Sequence, residues 1–111
     1  MEKKGLFFLH SEEDALKYYA RAQKGFNHLI SIPDNKENLE DELKELLDVS
    51  FQDITMQNKE IHVFWFHENV IDYIIEIFLT LLGKKGEKIG EYVYVLDAEG
   101  NVIDDRWTFD I

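Results

Sequence analysis

Residues 61–82 read IHVFWFHENVIDYIIEIFLTLL, and the fold turns on how this stretch divides. Its first part, Ile61 to Phe66, is a continuous apolar run. Its lack of clean alternation predicts a strand buried on both faces. Glu68 and Asn69 then open what reads as a helix. Ile71, Ile74, Ile75, Phe78 and Leu81 fall on one broad face, widened by Val70, Ile77 and Leu82, with Gly83 as the stop. On this reading 69–82 is the central packing helix of the domain. Glu91 to Leu96 alternates as a strand, Asp97 to Asn101 is a turn around Gly100, and Val102 to Phe109 returns as a second strand. Trp107, Phe109 and Ile111 share one face of that hairpin.

Working back from residue 61, the chain is less regular. Lys4 to His10 predicts a buried strand. Ser11 then caps a helix that carries Leu16, Tyr19, Ala20 and Gln23 on one side and stops at Gly25. Phe26 to Pro33 is either a short strand or an apolar loop, and Phe51 to Met56 either a short strand or a linker. Between them Asp34 or Asn35 starts a second helix, with Asp34 and Glu37 at capping-box spacing. The expected order is β-α-(β)-α-β-α-β-β. It describes one α/β domain over 1–111, with a small mixed sheet, about three helices and a C-terminal hairpin. Charge at Asp104, Asp105 and Arg106 suits an edge strand.

The chain has 111 residues, 45% apolar and 14% aromatic, enough to bury a core. It has no cysteine, which excludes disulfides, thiolate metal sites and a cysteine nucleophile. No stretch approaches the roughly 18 apolar residues of a membrane span. A soluble protein of the bacterial cytoplasmic type is expected, with no membrane partner. The net charge is −11. Residues 1–33 balance at +1, while 34–60 and 61–111 each carry −6. Such a field repels nucleic acid directly and attracts basic surfaces.

Charge concentrates on the second helix. Leu39, Leu43, Leu46 and Leu47 form its apolar stripe, and Glu37, Glu40, Asp41, Lys44, Glu45 and Asp48 its opposite face. Glu40 and Lys44 are spaced for one favourable pair. A solvated face needs charge, but not charge of nearly one sign.

Catalytic motifs are few. Ser11, Ser31 and Ser50 are the only serines, none in a nucleophile elbow, and the six glycines form no phosphate loop. His10, His28, His62 and His67 include no pair at i,i+4. Asp97, Glu99 and Asn101 begin like a calcium loop, but Val102 stands where glycine is required and Thr108 where a bidentate carboxylate is. No metal and no cofactor is expected, and the chain reads as a non-enzyme.

The stretch Pro33-Asp34-Asn35-Lys36-Glu37-Asn38-Leu39-Glu40 resembles the binding segment of barstar-like ribonuclease inhibitors, a family of bacterial immunity proteins. Asn38 and Leu39 match the motif, and Glu40 stands where the family has aspartate. The glycine before the motif is missing, and Lys44 replaces an expected acid. The resemblance implies a strand at 60–66, a helix at 70–82 and a last strand at 91–96. It also implies an inhibitor that occludes the basic active site of a toxin, possibly a nuclease, with carboxylates. The partner-binding set is then Glu37, Asn38, Glu40, Asp41, Glu45 and Asp48, with Trp107 as an aromatic anchor at the other end. Two other readings stand beside it: an interaction or regulatory module, homodimeric through the hairpin edge near Trp107, and a nucleic-acid mimic.

Overall fold

The computed structural model describes residues 12–66 and 69–109. The strand expected at 4–10 lies outside them, as do His10, Ser11, His67 and Ile111. Two helices come first: α1 (Glu12–Ser31) and α2 (Pro33–Leu47). A 3-10 turn (Phe51–Asp53) leads to four strands, β1 (Thr55–Phe66), β2 (Asn69–Leu82), β3 (Lys88–Asp97) and β4 (Val102–Phe109). The strands form one antiparallel meander in the order β1-β2-β3-β4. The chain is α/β in composition, but among the described residues it has two helices, not three, and its sheet is antiparallel, not mixed.

Residues 69–82 form a strand, not a helix. β-Branched residues at 70, 71, 74, 75, 77 and 80 pack well on a pleated surface and lose rotamer freedom in a helix. Over its described side chains the burial pattern of β2 has period two. Ile75, Ile77, Leu79 and Leu81 are buried toward the helices, while Ile74, Glu76, Phe78 and Thr80 lie half-buried on the other face. A strand apolar on both faces satisfies a helical template by accident. With a strand there, no crossover separates the others, and short turns give antiparallel neighbours. Gly83 does end the element: its N–H bonds Glu87 O at 2.8 Å, and Gly86 takes φ 79° in the turn.

β1 is an outer strand and is not buried on both faces. His62 and Phe64 are exposed, whereas Ile61, Val63 and Trp65 face the helix side. It begins at Thr55, after the 3-10 turn that occupies the ambiguous 51–53. The hairpin of β3 and β4 falls where the sequence placed it. Asp97 Oδ1 accepts from Glu99 N at 2.9 Å and Asn101 N at 2.8 Å, and Gly100 has φ 87°. The Asp97 carboxylate is thus turned onto its own backbone.

α1 runs through Gly25 to Ser31 rather than stopping. A Cβ on Gly25 would stand 2.4 Å from Tyr94 Cε1, so glycine here permits close approach of helix and sheet. The inward side of α1 is Tyr18, Tyr19, Ala22, Phe26, Leu29 and Ile30, while Leu16 is exposed. Phe26 meets Tyr92 and Trp107 edge-on at 5.2 and 5.0 Å between ring centres. The opposite sheet face has no described helix on it. Arg106 bonds Glu76 at 3.2 Å and lies 3.5 Å from Asp104, Lys59 pairs with Glu91, and Val93 and Val95 are buried beneath this lattice.

Candidate functional site

Pro33 creates the site by breaking the helices apart. The residue before a proline is pushed out of the helical region, and Ile32 sits at φ −71°, ψ 125°. Proline then occupies the first turn of α2, where its missing N–H costs nothing. The cap is Ile32, not Asp34, and it makes no side-chain bond. Asp34 instead lies in the first turn and Lys44 in the last, each at the favourable end of the helix dipole. Asp48 closes the helix in the left-handed region, its N–H bonded to Lys44 O at 3.1 Å.

α2 packs mainly on α1. Leu43 is buried, Leu39 and Leu47 are half-buried, and Leu46 remains 48% exposed. Asn38, Asp41, Glu42, Glu45 and Leu46 line a shallow groove on the outer face. The spacing i, i+3, i+4, i+7 and i+8 keeps them on one side. Among the described residues, no base lies within salt-bridge distance of Asp41, Glu42 or Glu45. The arrangement offers an uncompensated carboxylate row around one exposed leucine. Glu42 belongs to this row although the sequence reading left it out. Its signal was its i+4 spacing from Asn38.

The other expected site residues fall elsewhere. Glu40 is half-buried, and its Oε2 accepts from Phe51 N at 2.8 Å, which ties α2 to the 3-10 turn. It does not pair with Lys44. Asp48 joins Lys44, Asp53 and Lys84 on a second, wider groove beside Ile30 and Phe51. The side chain of Glu37 lies outside the described ones. Trp107 sits half-buried among Phe26, Phe51 and Phe109, its Nε1 buried without a hydrogen-bond acceptor among the described residues. The structure therefore separates Trp107 from the α2 face.

Among the described residues, the lowered carboxyls are held by bonds within the fold. Two bonds from Ser50, N–H at 3.1 Å and Oγ at 2.9 Å, hold the Asp53 carboxyl below the usual range. The Asn101 backbone does the same for Asp97, and the Lys59 ammonium for Glu91. Burial pushes the Tyr92 hydroxyl far up, helped by its bond to Asp105 at 2.8 Å. His62 lies 3.3 Å from Glu60, and its ring is tilted against Phe78 with centres 4.8 Å apart. No group of three or more metal-ligating side chains occurs among the described residues. No described helix is long and apolar enough to cross a membrane.

No family model matches the chain, and no curated protein or solved structure matches it either.

Proposed function

We propose that the chain is a non-catalytic binding protein whose α2 outer face docks on a basic protein surface. A toxin with a cationic cleft, such as a nuclease, is the partner that best fits this chemistry. The observation that carries the reading is the row Asp41, Glu42 and Glu45, without a described base, beside the half-exposed Leu46. Unneutralised carboxylates steer a basic partner by long-range attraction, and an exposed apolar residue inside the row supplies contact area once water leaves. Occlusion is steric: an α2 seated in a cleft excludes the anionic substrate the cleft was built to bind.

The test compares the wild-type chain with Asp41→Lys/Glu42→Lys/Glu45→Lys, each immobilised and exposed to extract of the source cells at low and high salt. A basic protein retained by the wild type, released by salt and missed by the variant supports the proposal. Its nuclease activity should also fall when the free wild-type chain is added. Equal retention by both chains would overturn it.

A further inference from the structure

Among the described residues, the two outer strands of the sheet differ in how they present their edges. β1 has register shifts between Asn58 and Glu60 and between Trp65 and Phe66. Bulges of this kind twist an edge away from a would-be partner. β4 pairs with β3 without interruption from Asp104 to Phe109, its one shift lying at Ile103 near the strand start. No described strand lies beyond it. Residues 102–106 are exposed, with Val102 at 48% and Ile103 at 53%. An open groove lined by Lys24, His28, Tyr94, Val102 and Ile103 separates this edge from α1.

We propose that β4 is the interface of a homodimer, with a second copy of this chain pairing antiparallel about a two-fold axis at Asp105. Opposed residues of an antiparallel ladder share a face, so a symmetric pairing is centred on a residue. Centred on Asp105, Asp104 stands opposite Arg106 of the second copy, and the contact occurs twice. Centred one residue earlier, Asp104 faces its own copy; one later, Arg106 does. The charges of β4 therefore complement each other in one register and repel in its neighbours, which fixes alignment as well as adding attraction. The same register carries the exposed Ile103 toward the Trp107 end of the second strand. Its one unfavourable contact is Asp105 against Asp105, and each of these carboxylates already accepts from its own Tyr92 hydroxyl. Such pairing is closed, since it uses the β4 edge of both copies. It shares no residue with the α2 face, so either proposal can fail alone.

Sedimentation equilibrium of the full chain tests this across a wide concentration range. The wild type should approach twice the 13.2 kDa of one chain as concentration rises. Arg106→Asp sets acid against acid twice and should weaken dimerisation by about tenfold or more. The exchange Asp104→Arg/Arg106→Asp restores opposite charges across the axis and should recover it. Arg106 also bonds Glu76 within its own chain, so the fold of each variant is checked by its circular dichroism. Asp105→Asn keeps an acceptor for Tyr92, removes the like-charge contact and should strengthen the dimer. A wild type that stays monomeric throughout overturns the interface. So does a dimer that Arg106→Asp leaves intact, or one that Asp105→Asn weakens.

Discussion

α1 and α2 are neighbours in sequence, separated only by Ile32, and both carry apolar residues at helical spacing. α1 lies on the sheet and contributes Ala22 and Phe26 to the core, with Gly25 letting its backbone approach Tyr94. α2 leans on α1, buries Leu43 and leaves Leu46 and a carboxylate row facing out. Apolar residues at helical spacing thus serve packing against the sheet in one helix and leave an acidic face outward in the other. What separates them is which elements lie opposite. α1 has a sheet to cover, whereas α2 has one helix, so only part of its stripe is used.

The contrast between the two helices is deepest at Phe26. Phe26→Ala should cost about 3–5 kcal/mol in urea unfolding, because it opens a cavity between Tyr92 and Trp107. Leu43→Ala, the matching change in α2, should cost nearer about 2 kcal/mol, since fewer elements surround it. Equal losses would show that α2 is as much part of the core as α1.

Gly25→Ala sets helix propensity against sterics. The propensity gain is about 1 kcal/mol, but the new Cβ would meet the Tyr94 ring at 2.4 Å. A net loss of stability is expected, relieved in Gly25→Ala/Tyr94→Ser, and thermal melts of both variants measure it.

Glu40→Ala tests the brace between α2 and the 3-10 turn. Loss of the acceptor for Phe51 N should cost about 1–2 kcal/mol, while binding through the outer face persists. The triple lysine variant of Asp41, Glu42 and Glu45 should do the reverse. Its stability should change by less than about 0.5 kcal/mol while partner capture is lost.

The smallest effect concerns acid. Asp53, Asp97 and Glu91 titrate lower in the folded chain than their usual values. Their contribution is therefore present above the unfolded range near about pH 4 and disappears as pH falls through the lower folded values. Asp97→Asn should flatten the acid limb of the stability curve relative to wild type, as read by denaturant titration at successive pH values.

The hairpin from Lys88 to Phe109 was legible because its signals are local: alternation, and a turn whose Asp97 and Gly100 have no better use. α2 was legible for the same reason, by its leucine spacing. Its acidic face, the heart of the candidate site, could also be read directly, except that Glu40 is turned inward to Phe51 and Trp107 is enclosed by aromatic neighbours. The reading of 69–82 failed where periodicity carries least information. A segment largely apolar on both sides fits a helix and a central strand alike, and only its register with β1 and β3 distinguishes them. Gly25 failed for a related reason: a glycine that ends a helix and one that admits a tyrosine ring look the same until the ring is placed. Composition and local pattern by themselves determined the acidic character, the second helix and the final hairpin, since each depends on residues close in the chain. The antiparallel order, the helix that covers the sheet and the carboxylates left without a described partner were decided by tertiary structure, because they depend on what stands opposite.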